Sequence, residues 1–80
     1  MLRFEWDEAK SSRNRSKHKV WFEEAQGVFD DPAARVFYDD SHSEKEDRFV
    51  IIGMSFTGRL LVVVHCHTTM DLVRKGGERL

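Results

Sequence analysis

Residues 48–67 read RFVIIGMSFTGRLLVVVHCH, two runs of Val, Ile, Leu and Phe of the kind that suits a half-buried pleated surface. Between them stands Ser55-Phe56-Thr57-Gly58, with glycine where a hairpin turn needs a positive φ that side chains resist. Strands over Arg48 to Met54 and Arg59 to His67 are therefore expected to pair antiparallel. Upstream, Ala34 to Tyr38 has the same composition and reads as a third strand. The polar, acidic segment Asp39 to Asp47 is then the loop that joins it to the hairpin.

Further upstream the pattern changes. Leu2 to Trp6 alternates apolar and polar, as a short strand does, and Asp7 offers a side-chain oxygen to cap a helix over Glu8 to His18. That helix has little beyond Ala9 to bury, so it must be held by a narrow face and by the aliphatic stems of its basic residues. Phe22, Ala25, Val28 and Phe29 share one helical stripe and predict a second helix over Trp21 to Phe29. Asp30-Asp31-Pro32 ends it, because proline cannot continue the hydrogen-bond ladder. Downstream, Asp71 to Arg74 is compatible with one more strand. Gly76-Gly77 offers no side chains to pack, so weak order or a truncated end is expected from about residue 68.

The elements add up to one α+β domain over residues 1–80, with two N-terminal helices packed on one face of a mainly antiparallel, twisted sheet. Apolar residues make up 40% of the 80 and charged residues 34%, which suits a folded domain and not a disordered chain. The single cysteine, Cys66, cannot form an intramolecular disulfide. No basic tip precedes an apolar run long enough for secretion. The longest apolar run, Leu60 to Val64, is far short of the roughly 20 residues that span a bilayer. A cytoplasmic protein without a membrane segment is the expectation.

The net charge of −1 hides a separation along the chain. Residues 10–19 carry Lys10, Arg13, Arg15, Lys17 and Lys19 with no acid, whereas residues 39–47 carry Asp39, Asp40, Glu44, Glu46 and Asp47 against Lys45 alone. Lys10, Arg13, Asn14 and Lys17 share spacings of three and four and would present one cationic ridge to a phosphate backbone. Charged helix faces are common, so the ridge alone is a weak pointer. Arg48, Arg59, Arg74 and Arg79 flank strands or lie in the tail. Guanidinium forks match phosphate geometry, although arginines also serve as solubilising edge residues.

His65 and His67 alternate along a strand and would share a face with His42 nearby, but no carboxylate stands at ligand spacing, and no metal is expected. A metal-dependent enzyme built on His42, His65 and His67 remains the rival that bound metal in purified protein would reveal. For acid–base chemistry the chain offers His18, Glu24, Glu44 and the paired histidines; spacing does not say which converge.

Three stretches taken together resemble one family: Phe4-Glu5-Trp6-Asp7-Glu8-Ala9-Lys10 with Asn14, then Lys17-His18, then Phe22-Glu23-Glu24-Ala25 followed by Phe29-Asp30-Asp31-Pro32. The series continues through Tyr38 to Glu44, Arg48-Phe49, Ile52-Gly53 and Gly58 to His65. The chain is similar to the BrnT toxins of bacterial type II toxin–antitoxin systems. The resemblance implies a RelE-like fold and RNA cleavage without metal or other cofactor. It also implies silencing by a ribbon-helix-helix antitoxin, with DNA contacted only through that partner when the complex represses its operon. A homodimer or a toxin–antitoxin heterotetramer fits the same picture. By this carry-over the matching basic positions are Lys10, Lys17, His18, Arg48 and Arg59; the expected catalytic set is Lys17, His18, Arg48, Arg59 and the tail's Arg79, with Lys17 and His18 as the candidates for moving protons. Lys10, Arg13, Asn14 and Arg74 bind RNA, Asn14 having an alternative role in orienting the first helix. The acidic loop is expected to lie away from the groove.

The chain departs from the family pattern at two places. Trp21 stands where the family often has a helix-capping serine, and residues 74–80, RKGGERL, keep an arginine spacing without the apolar filling between. An alternative reading is therefore a catalytically impaired toxin fold that still captures antitoxin.

Overall fold

The computed structural model describes residues 4–77. It contains helices α1 (Glu8–His18) and α2 (Phe22–Ala25), a 3-10 turn over Gln26–Asp30, strand β1 (Arg35–Tyr38) and a short 3-10 turn over Asp40–His42. Strands β2 (Phe49–Met54), β3 (Leu60–Cys66) and β4 (Thr69–Lys75) follow among the described residues. The molecule is α+β, with one antiparallel four-stranded sheet in the order β1-β2-β3-β4.

The hairpin over 48–67 forms as its composition predicts. Phe49 pairs with His65 and Met54 with Leu60, and Gly58 closes the turn at φ 83°. The first strand also matches, pairing Arg35 with Ile52 and Tyr38 with Phe49.

The largest difference lies after residue 68, where weak order was expected and β4 instead runs from Thr69 to Lys75 against β3. Its outer edge, which would otherwise be open to water or to another chain, is covered by residues far away in sequence. The Glu5 amide donates to the Thr68 carbonyl at 2.7 Å and the Met70 amide to the Glu5 carbonyl at 2.8 Å. Further along, the buried Asn14 side chain takes over. Its Nδ2 donates to the Val73 carbonyl at 2.8 Å and its Oδ1 accepts from the Val73 amide at 2.9 Å. Local composition cannot show such a staple. Within the described residues the expected strand at Leu2 to Trp6 is reduced to the parallel bridge between Glu5 and Thr69.

Helix α1 begins where Asp7 accepts a hydrogen bond from the Ala9 amide at 2.7 Å and ends at Lys19, in the left-handed region at φ 62°. Its buried stripe is polar, made of Ser11, Asn14 and His18, which explains the scarcity of apolar residues. Helix α2 is shorter than predicted and tightens into the 3-10 turn after Ala25. Trp21 provides no side-chain cap, and Gly27 is a poor α-helix former. The tighter winding still sends Val28 into the core and stacks Phe29 on Phe4, ring centroids 3.7 Å apart.

The core joins Phe4, Val20, Phe22, Ala25 and Val28 to Ile51, Leu61, Val63, Met70 and Val73 from the sheet. The alternation along β3 is interrupted beside the site. His65 pairs with Met70 while Val64 pairs with Leu72, which leaves Asp71 as the extra residue of a β-bulge. Bulges re-aim a side chain, and here it is a carboxylate.

Candidate functional site

A groove of about 330 Å³ runs between α1 and β4, lined by Lys10, Arg13, Asn14, Lys17, His18, Asp71 and Leu72. Helical spacing puts Lys10, Arg13 and Lys17 along one wall; the bulge puts Asp71 on the other. Lys10 Nζ meets Asp71 Oδ1 at 2.5 Å. The second oxygen of that carboxylate lies 3.1 Å from Arg48 Nη2, and Arg48 Nε lies 3.8 Å from Asp39. One carboxylate therefore ties the helix cation to the strand arginine at one end of the groove. His18 is buried in the groove lining, toward the other end of α1.

The structure brings together Lys10, Arg13, Lys17 and His18, with Arg48 joined through Asp71, and it gives Asn14 and Arg59 other partners. Asn14 lines the groove but is tied to backbone: its amide also donates to the Val20 carbonyl at 3.0 Å, so both of its N–H donors are committed there and to Val73. Arg59 lies at the opposite end of the hairpin from Arg48. The six-residue register of β2 on β3, at about 3.3 Å per residue, separates them by roughly 20 Å, too far to grip one phosphate. Among the described residues none from the acidic loop lines this groove; the loop meets Arg48 through Asp39 and shares with it a second cavity of about 340 Å³ that also involves Ser41, Glu44, Lys45, Glu46 and Cys66. Arg74 sits half-buried on β4 opposite Val62, beside the groove-lining Leu72. Arg79 lies outside the described residues.

Arg59 instead closes an ion pair with Glu24, Nη2 to Oε1 at 2.5 Å and Nε to Oε2 at 2.9 Å. Ser55 and Thr57 donate to the same Oε2 at 2.8 and 2.5 Å. The Arg59 hydrogen bond above all, helped by the two hydroxyls and opposed by burial, lowers the Glu24 carboxyl from 4.5 to about 2. The carboxylate in turn raises the Arg59 pKa. This cluster fastens the β2–β3 turn to α2.

The two histidines do not share a site. His65 is buried among Phe4, Phe29 and Phe49, the first two edge-on and the third stacked. Burial lowers its pKa, against a smaller opposing effect of the 3.0 Å contact between its Nδ1 and the His67 carbonyl. Strand β3 ends at Cys66, so His67 falls in the turn at φ 45°, where strand alternation no longer applies. Burial first, then the Glu46 carboxylate, pushes the Cys66 thiol up, away from reactivity. Among the described residues no group of three or more His, Cys, Asp or Glu is placed to hold a metal ion.

Over residues 6–74 the chain matches the family model of the ribonuclease toxin BrnT of type II toxin–antitoxin systems. It belongs to the BrnT toxin family. A comparison with curated proteins finds no match. The BrnT match includes every groove residue and β4 as far as Arg74. Membership in a type II system gives the chain RNA as its target and an antitoxin as its partner. Among the described residues no helix is long and apolar enough to cross a membrane.

Asp71 is the charged groove residue that sequence reasoning missed, and Leu72 lies beside it in the lining. Asp71 reads as an ordinary polar strand position, and only the bulge aims it between two cations.

Proposed function

We propose that this BrnT-family chain is a metal-independent endoribonuclease toxin, RelE-like in its helix-on-sheet arrangement, neutralised by a ribbon-helix-helix antitoxin. The observation that carries the reading is the groove in which Lys10, Arg13 and Lys17 face Asp71, with His18 in the lining. In the reaction the ribose 2'-oxygen attacks the adjacent phosphorus and the bond to the 5'-oxygen breaks. The 2'-hydroxyl proton is removed, a proton is delivered to the leaving 5'-oxygen, and a 2',3'-cyclic phosphate remains. Lys17 and His18 are the groups assigned to proton movement. Lys10, Arg13 and Arg48 stabilise the dianionic phosphorane, where fixed cations act most strongly because charge has accumulated there. Asp71 orients Lys10 and Arg48, and Arg59 acts from outside the groove by holding the turn. Arg74 extends the cationic surface toward the end of a longer RNA, and Arg79 is assigned to the catalytic set by the family resemblance alone. DNA is met only through the antitoxin.

RNA cleavage in the presence of chelator tests this. Activity persists in chelator and falls with Lys17→Ala and Arg48→Ala, while activity that vanishes with chelator refutes the metal-free mechanism. A second reading, an impaired toxin that only captures antitoxin, is favoured by one observation: both strand arginines, Arg48 and Arg59, face carboxylates. Expression without growth arrest, together with intact antitoxin capture, selects that reading.

A further inference from the structure

At the tip of the β2–β3 turn, Phe56 is 75% exposed, and Trp21, at the start of α2, is 49% exposed. The two rings line a single cavity of about 440 Å³ whose remaining walls are Glu23 and Glu24, a size within the roughly 300–1,000 Å³ of small-ligand pockets. Neither ring is needed for the core, which is filled without them. Each is nevertheless held in place. Residues 55 and 57, on either side of Phe56, are both anchored to the Glu24 carboxylate. The Phe56 ring also lies so close over Gly27 that a Cβ there would stand 3.3 Å from it. Trp21 carries the Arg15 guanidinium over its face, 5.5 Å from the ring centroid. A large apolar side chain fixed at a solvent-exposed turn loses little entropy when a flat partner lands on it.

We infer that Trp21 and Phe56 form a subsite for one unpaired nucleobase of the RNA, distinct from the groove between α1 and β4. This inference rests on the RNA reading above. Aromatic faces bind single-stranded bases by stacking, and the surroundings supply the complementary charge. Arg15 and Lys19 are exposed on the chain just before Trp21 and offer cations to the flanking phosphates. Glu24 is occupied by Arg59, Ser55 and Thr57, so its charge does not repel the RNA. Glu23 remains as the acceptor at the cavity wall. A carboxylate there accepts from the N–H groups of guanine, cytosine or adenine and finds less to bind on uracil. The subsite therefore favours an amino-bearing base. It also places RNA across the turn end of the hairpin, from which the strand reaches the groove past Lys19 and Lys17.

The experiment uses the intact chain and short single-stranded RNA oligomers, of cytidine alone and of uridine alone, each carrying a fluorescent label. Binding is read by label anisotropy, and occupancy of the subsite by quenching of tryptophan emission. Cytidine oligomers bind more tightly than uridine oligomers and quench the emission. Trp21→Phe abolishes the quench while retaining most of the affinity. Trp21→Ala and Phe56→Ala each weaken binding about five- to hundredfold, and Glu23→Gln removes the preference for cytidine. All four changes are at exposed positions, and circular dichroism confirms the fold. RNA that binds without quenching, with affinity unchanged in Trp21→Ala and Phe56→Ala, overturns the subsite and leaves the groove reading standing. Absence of any anisotropy change overturns the RNA reading itself. Loss of antitoxin binding in the two alanine variants with RNA affinity intact assigns the surface to the protein partner and overturns the inference.

Discussion

Replacing Glu24 by Gln removes the charge to which the whole β2–β3 turn is fastened, and the structure sets the size of the effect. The carboxyl falls from 4.5 to about 2 on folding, which at about 1.4 kcal/mol per unit corresponds to about 3 kcal/mol. Arg59 is 38% exposed, so water screens the pair and recovers part of the arginine's solvation when Glu24 is lost, and about 2 kcal/mol is the expected net cost. For a domain of this size that lowers Tm by about 8–16 °C. The pH dependence supplies an independent check. A carboxyl whose pKa is depressed in the folded state contributes its full stability above the unfolded value of 4.5 and loses it as pH falls toward about 2. Urea unfolding followed by circular dichroism should therefore separate wild type from Glu24→Gln at pH 7, by less than half as much near pH 3, and hardly at all near pH 2. A gap that is absent at neutral pH, or that stays constant through this range, refutes the assignment of the stability to the ionised carboxylate.

Three further changes probe other parts of the structure. Asn14→Leu leaves the Val73 amide and carbonyl and the Val20 carbonyl without partners and should cost about 3 kcal/mol or more, read as a lower urea midpoint and faster hydrogen exchange at Val73. His65, whose pKa is lowered by burial, takes up its proton less readily in the folded chain than in the unfolded one, so its contribution to stability is fully present above the unfolded value of about 6.5 and declines as pH falls below it. His65→Phe, matched to the aromatic surroundings, should flatten the change in urea midpoint between pH 7 and pH 5, and an unchanged slope assigns that pH dependence to another group. Asp71→Asn releases Lys10 and Arg48 from their shared carboxylate; kcat for RNA cleavage should fall about tenfold or more through lost positioning while RNA binding holds or tightens, and unchanged kcat removes Asp71 from the site.

The hairpin at residues 48–67, the capped helix at Glu8 to His18 and the cationic ridge along it were legible because each depends on local chemistry: strand-forming side chains around a turn glycine, a capping Asp7, and charges at helical spacing. The family resemblance was legible for a related reason, since it rests on an ordered series of short motifs that the match over residues 6–74 covers from Trp6 onward. Helix α2 was overextended because the helical stripe from Phe22 to Phe29 is also satisfied by tighter winding after Ala25.

What the sequence by itself determined is the set of elements and the supply of cations, because period, capping and turn chemistry act over a few residues. Only the tertiary structure decided which cations serve the groove. Arg48 and Arg59 look equivalent in sequence, each preceding an apolar strand. Antiparallel pairing sends them to opposite ends of the hairpin, one to Asp71 and Asp39 and the other to Glu24. Asn14 looks like part of the ridge until β4 docks beside it and its amide completes the strand edge. Each of these outcomes depends on partners more than 20 residues away in sequence except for Asp39, and such contacts exist only once the chain has folded.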